Sequence, residues 1–251
     1  MIRFSSFQKC LTAMILMLFL IAGCAWTGPA QKPTITPPQM EELPSGSGWW
    51  VARFHLAWPP DTKPVWYLDL CLAHQVIAPQ LALHEKDIYL WRFHRRAARD
   101  ASGRMFSFIF YAAPRTAEQI FSALQTDPLV RKLMDEGVLE RTEYDNPARI
   151  ERPNIEDTSD RQWPVPIQKT WPYYIMGASR MWLNLIAEVA AEYPEDFAPT
   201  SSKEIEAYYQ QIDKTILELW QQEGRHAFMH HLNALFEYEP IIYREKRYLN
   251  F

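Results

Sequence analysis

Arginine and histidine alternate along two short stretches of this 251-residue chain. Arg53 and His55 stand two apart within residues 49–58, and Arg92, His94 and Arg96 repeat that spacing within 88–96. In extended backbone such spacing puts each set on one side of its strand. Guanidinium groups gathered there can take a carboxylate or phosphate through paired N–H bonds, and a histidine beside them can move a proton near neutral pH. The same residues serve equally as a solvated strand face or as ion-pair partners for acidic helices. A second constellation is Glu223, His226 and His230, whose E-x-x-H-x-x-x-H spacing places them on one helical face, where a metal could bind. The His-Glu-x-x-His order of zinc proteases is absent and no Cys or close Asp joins them, so surface or interface histidines are the alternative. No phosphate loop, nucleophile elbow or Cys–His pair occurs, and nothing calls for a cofactor.

The elements that must carry these residues follow from hydrophobic period. Residues 49–58 alternate, with Trp50, Ala52, Phe54, Leu56 and Trp58 on one side, and Pro59-Pro60-Asp61 stops the strand. From Lys63, the set Val65, Leu68, Leu72 and Val76 predicts a helix with Pro64 in its first turn and a kink or end at Pro79. Residues 88–96 form a second strand, with Tyr89, Trp91 and Phe93 opposite Leu90, Arg92 and His94. A turn through Arg99–Gly103 returns it into 105–111, where Phe106, Phe108 and Phe110 share a face. Thr116 is expected to cap a helix over 118–125, a second short helix covers 129–136 with Gly137 as its stop, and 138–144 is a last strand.

The order is β-α-β-β-α-β, which predicts an α+β, ferredoxin-like sheet with helices on one face. The other face needs cover, because aromatic residues occur on both sides of the strands. After a polar, Pro-rich connection at 145–169, two amphipathic helices can supply it. Tyr174, Ala178, Met181, Leu185, Ile186, Val189 and Tyr193 mark the first. Ser202 caps the second, whose buried stripe is Ile205, Tyr209, Ile212, Ile216 and Trp220. Gly224 then interrupts, and 225–236 forms a final short helix.

The N-terminus addresses the chain. Arg3 and Lys9 precede an uncharged apolar run over 10–22, of signal-peptide length and too short for a stable span. It ends in Ile21-Ala22-Gly23-Cys24, which closely resembles the bacterial lipobox. That resemblance implies cleavage before Cys24 and a diacylglycerol on its thiol. Ala25 follows instead of an Asp that would retain the protein at the inner membrane, so the periplasmic side of the outer membrane is expected. Residues 24–48, repeatedly interrupted by proline, read as a lipidated tether with a reach of about 60 Å.

Residues 49–146 are then the sheet-bearing half and 147–251 a helical half packed on it, one structural unit. Loss of 1–23 removes Arg3 and Lys9 and no acid, leaving 24 basic against 30 acidic residues and a net charge of −6. That weighs against nucleic acid and against an electrostatic grip on anionic lipid. Of the three cysteines Cys10 leaves with the signal and Cys24 takes lipid, so Cys71 has no disulfide partner.

Three motifs are similar to the C-terminal elimination domain of lantibiotic dehydratases, also seen as the thiopeptide-type bacteriocin biosynthesis domain. Pro64-Val65-Trp66-Tyr67-Leu68 looks like the family's first helix. Leu90-Trp91-Arg92-Phe93-His94-Arg95-Arg96 with Asp100 resembles its Trp-x-x-x-Arg-Tyr strand and Asp turn, and Met229-His230-His231-Leu232-Asn233 its late His-Met…Asn-Arg helix. The resemblance implies a shared fold over about residues 49 to 240 and maps catalytic positions onto Arg95 and, imperfectly, His230. The departures are specific. Residues 104–110 read RMFSFIF where the family has a His and alternating Arg, Phe228 replaces its first His, and no Arg follows Asn233. The family removes glutamate from glutamylated Ser or Thr, chemistry that needs glutamyl-tRNA and has no place in the periplasm. A binding or assembly module for a peptide or protein partner is therefore the leading expectation. The alternative is an enzyme that uses Arg95, His94 and His230 on a peptide or other anionic substrate.

Overall fold

A computed structural model describes residues 45–193 and 201–241. The leader, Cys24 and the tether lie outside the described residues. The chain divides after Glu42, and every described residue belongs to the unit Leu43–Phe251. The fold is α+β: a four-stranded, wholly antiparallel sheet with several helices. Its strands are β1 (Gly48–Leu56), β2 (Ile88–Ala97), β3 (Arg104–Ala112) and β4 (Leu139–Tyr144), in spatial order β2-β3-β1-β4.

Helix α1 joins β1 to β2. It runs over Tyr67–Cys71, widens into a π-turn at Leu72–Ile77 and resumes over Ala78–Leu83. The widening precedes Pro79, which has no N–H to offer the carbonyl one turn back, and the local change of hydrogen-bond register absorbs that loss. The helix starts at Tyr67, after the Lys63 the sequence suggested, and leaves Val65 exposed. The reason is a competing donor: Arg104 Nη2 takes the Val65 carbonyl at 3.0 Å.

Between β3 and β4 lie α2 (Pro114–Thr126) and α3 (Pro128–Asp135). Pro114 opens α2, where its fixed φ suits the first turn, and Thr116 is buried inside that turn rather than capping it. Asp127 caps α3, and Gly137, at φ +70°, ends the passage into β4 in a conformation that disfavours any side chain.

One face of the sheet carries the main core. Trp50, Ala52, Phe54, Phe93, Phe106, Phe108 and Phe110 are buried there against α1, α2 and α3. Two longer helices, α4 (Val165–Ala191) and α5 (Ser202–Gly224), add Ile186, Val189, Ile205, Tyr209, Ile212 and Ile216 to that same core. The expectation that the C-terminal helices cover the open face holds for the first part of α4, whose Trp171 and Met176 reach it, and is corrected for the rest. α5 packs on α1, with Tyr209 OH 3.0 Å from His74 Nδ1. α4 follows the free edge of β2, where Ser179 Oγ accepts the Phe93 N–H at 3.1 Å.

The opposite face is covered at one end only, where Trp49, Val51, Leu90, Ile109 and Tyr111 gather with Ile155 and Met176. The connection 145–164 lies over it: Trp49 Nε1 donates to the Asn154 and Ile155 carbonyls, and Tyr111 OH donates to that of Pro153. Beyond this cluster the face is charged, so it presents no apolar surface for a helix to bury. The strand periodicity also slips once. An irregularity between Ile88 and Leu90 sends Ile88 to the main core and leaves Tyr89 packed on the minor cluster, the reverse of strict alternation.

Three further details shape the C-terminal helices. Pro172, inside α4, cannot donate to the Gln168 carbonyl, and Ser159 Oγ supplies that hydrogen bond instead at 2.6 Å. Ser201, one residue before the expected cap, starts α5 through reciprocal bonds with Glu204. Gly224 does not interrupt; α5 passes into a π-helical turn (Arg225–His230) and a short helix, α6 (His231–Ala234). A Cβ at Gly224 would lie 2.9 Å from the Trp220 ring, so glycine admits the indole. No described helix is long and apolar enough to cross a membrane.

Candidate functional site

The strand register fixes where the basic residues go. His94, Ser107, Arg53 and Glu143 form one row across the four strands, and Arg96, Met105, His55 and Arg141 form the next. Arg53, His55, Arg92, His94 and Arg96 do share a face, but β3 separates the two sets and acids neutralise most of them. Arg53 Nη1 donates to Glu143 at 3.2 Å and to Asp145 at 3.0 Å. His55 Nε2 lies 3.5 Å from Glu143, and burial, with Arg141 nearby, lowers its imidazole below the usual range. Arg96 pairs with Asp100 and holds that carboxyl down to about 2.

Arg92 stacks on Trp171, its Cζ 4.9 Å from the ring centroid, and burial beside Arg152 lowers it to about 10. His94 is exposed on the sheet face, yet partial burial, with Arg92 and Arg96 alongside, keeps its imidazole below its ordinary value. Acids thus pair Arg53, His55 and Arg96, whereas Arg92 keeps its buried Nε without a hydrogen-bond partner.

The histidines of the C-terminal turn stack on one another. The His226 and His230 rings are 5.4 Å apart and tilted by 24°, both residues are exposed, and Tyr238 OH lies 3.4 Å from His230 Nε2. Among the described residues no group of three or more His, Cys, Asp or Glu is placed to hold a metal, so Glu223, His226 and His230 are not a ligand set. Glu223 instead borders a groove. The enzyme alternative loses its geometry to strand alternation, because adjacent His94 and Arg95 point to opposite faces of β2.

Arg95 belongs to a site that the sequence reading missed. Asp69, in the first turn of α1, has no solvent exposure, and its two oxygens are divided between two guanidiniums. Arg95 Nε donates to Oδ2 at 2.6 Å and Arg104 Nη2 to Oδ1 at 2.5 Å. Arg95 Nη2 also donates to the Trp66 carbonyl at 3.2 Å. Burial pushes the Asp69 carboxyl up, and the two cations pull the other way. Indoles close the site: Arg104 Cζ lies 4.3 Å from the Trp66 centroid, and Arg95 Cζ sits 4.9 Å from Trp66 and 5.0 Å from Trp182. The available signal was an acid enclosed by leucines in Tyr67-Leu68-Asp69-Leu70-Cys71, since a buried carboxylate demands cationic partners.

Arg104 is sealed, but 29% of the Arg95 side chain remains exposed, and it lies at the floor of a groove. The groove has a volume of about 1010 Å³ between α4 and α5, closed at one end by the C-terminal turn. Tyr174, Ala178, Met181 and Leu185 line one wall, Ile216, Leu217 and Trp220 the other, and Phe228, Met229, Leu232 and Leu235 the end. Tyr174 and Trp220, expected on buried stripes, are 54% and 52% exposed. The amphipathic periods are real, but no described residue covers that part of each stripe. Asp213 shares the lining with Arg95, and burial raises its carboxyl. Comparisons with family models, curated proteins and solved structures found nothing that matches the chain.

Two outcomes follow. Asp69→Asn removes the charge that both guanidiniums share and should cost about 3–5 kcal/mol in urea unfolding, whereas Asp100→Asn, on the surface, should cost far less. Asp213 binds its proton more tightly in the folded protein, so it subtracts stability as pH rises from the ordinary carboxylate range through its raised value. Asp213→Asn should therefore gain thermal stability over the wild type at pH 7 and lose that advantage near pH 4.

Proposed function

We propose that this protein is a lipid-anchored, non-enzymatic binding module on the periplasmic side of the outer membrane, and that the α4–α5 groove receives an apolar segment of a peptide or protein partner. The observation that carries this is the groove itself: two long helices turn contiguous Tyr, Met, Leu and Trp side chains outward between them. Water-exposed apolar surface of that extent on a folded domain marks an interaction site. Recognition by laying an apolar segment between helices needs no catalytic group. The anchor rests on the lipobox-like Ile21–Cys24 and on the tether-like sequence after it.

The strand order β2-β3-β1-β4, with helices after β1 and β3, supports a ferredoxin-like reading of the sheet. On that reading the kinship with the lantibiotic dehydratase elimination domain is one of fold. Arg95, at the family's catalytic position, is committed to Asp69, while His230 lies on the exposed C-terminal turn. In an enzymatic reading Asp213, and not His94 or His230, would be a group that shares the groove lining with Arg95.

In cells, a photo-crosslinking amino acid at Leu217, in the groove wall, should give a discrete adduct that the same probe at exposed Glu118 on α2 does not. Trp220→Glu should abolish the adduct. Equal labelling from both positions, or an adduct indifferent to Trp220→Glu, would sink the groove as the docking site. Palmitate labelling of the full chain should disappear in Cys24→Ser, and labelling that survived would remove the anchor.

A further inference from the structure

We infer that the occupant of the groove is an amphipathic helix of a partner protein, bearing one acidic side chain on its apolar face that comes to rest over Arg95. This deepens the docking reading above and rests on it. The shape of the walls argues for a helix. Tyr174, Ala178, Met181 and Leu185 follow one another at intervals of four, three and four along α4, the ridge spacing that interlocks with another helix. They span about 17 Å of helix axis, some three turns of a partner. An extended strand would instead present side chains alternately to the wall and to water, and would need a sheet edge to satisfy its backbone. A helix satisfies its own. Met181 and Met229 give the walls side chains that can adapt to a partner's shape.

The charge at the floor argues for the acid. Asp69 is shared by Arg95 and Arg104, so the pair of guanidiniums holds one more charge than its carboxylate returns. Arg95 spends Nε on Asp69 and Nη2 on the Trp66 carbonyl, and the flanking indoles of Trp66 and Trp182 hold its plane. Its remaining donors are thus pre-set toward an apolar space. A carboxylate arriving there gains a charge-assisted bond without first ordering the arginine. Asp213 and Glu223, on the same lining, oppose that arrival, and Asp213 lies within electrostatic reach of Arg95.

The test uses the full chain in lipid nanodiscs and labelled helical peptides of about 18 residues with leucine at heptad core positions. A single Glu is moved along the core positions, with Gln and Lys at the same places as controls, and binding is read by fluorescence anisotropy. At one Glu position the wild type should bind about tenfold tighter than with Gln, and tighter still than with Lys. Arg95→Gln should erase that preference. Because this variant also unpairs Asp69, Asp213→Asn serves beside it and should tighten the Glu peptide several-fold while leaving the Gln peptide unchanged.

Equal binding of the Glu, Gln and Lys peptides would overturn the acidic helix and leave the groove as a docking site. Binding that survives Leu217→Glu would overturn the groove itself. A dimer seen by sedimentation that Leu235→Glu dissolves would give the groove to a second copy of this chain, and would overturn a foreign partner.

Discussion

A carboxylate that no water reaches, divided between two arginines, sets how the layers of this protein meet. Asp69 comes from α1, Arg95 from β2 and Arg104 from the start of β3. None of the three can be buried alone without a large desolvation cost, so each is tolerated only when the helix sits on the hairpin in one register. A sheet face of phenylalanines would accept α1 in several positions, whereas the ion triad accepts one. Arg104 reaches further, to the Val65 carbonyl, and so fixes the point at which α1 begins. What the triad leaves over is a guanidinium partly out of the core, on the lining of the groove between α4 and α5.

Those two helices carry more apolar surface than they cover between them. The C-terminal half of α4 and the N-terminal half of α5 close on α1 and β2 through Ile186, Val189, Ile205 and Tyr209. Past Ile216, Leu217 and Trp220 of α5 stay exposed, as do Tyr174 and Met181 of α4. The π-turn after Gly224 swings the chain across the gap and lays Phe228 on Trp220, with ring centroids 5.4 Å apart. The end of the groove is thus built by a change of helical pitch at one glycine.

Much of the sheet was legible because its residues obey a period of two with few exceptions. The Phe106, Phe108 and Phe110 stripe, the hairpin closed by Asp100 and Gly103, and the shared side of Arg53, His55, Arg92, His94 and Arg96 all follow from alternation. The failures have identifiable causes. One irregular residue at Tyr89 inverted a facing, and a competing arginine moved the start of α1. Amphipathic period tells that a face avoids water in the isolated helix, not that a neighbour exists to cover it, so Tyr174 and Trp220 were read as core. The identity of Asp69's partner was hidden for a different reason: Asp69 and Arg104 are 35 positions apart, and only the docking of α1 on β3 brings them together. The acidic pairing of Arg53 through Glu143 and Asp145 likewise depends on β4 lying beside β1.

The sheet has two edges, and both are closed to further strands by different means. At β2, α4 lies alongside and Ser179 occupies the Phe93 N–H. At β4 the strand is only six residues long and carries Glu140, Arg141 and Glu143. A short, charged border gives an incoming chain few backbone bonds and a poor match for an apolar strand. Many copies crowded on one bilayer surface, as lipidation at Cys24 would place them, would meet edge to edge far more often than in dilute solution. Under such crowding the sealed sheet keeps neighbouring molecules from zipping into fibrils, while the exposed apolar groove, lacking free backbone donors, offers them no template to extend.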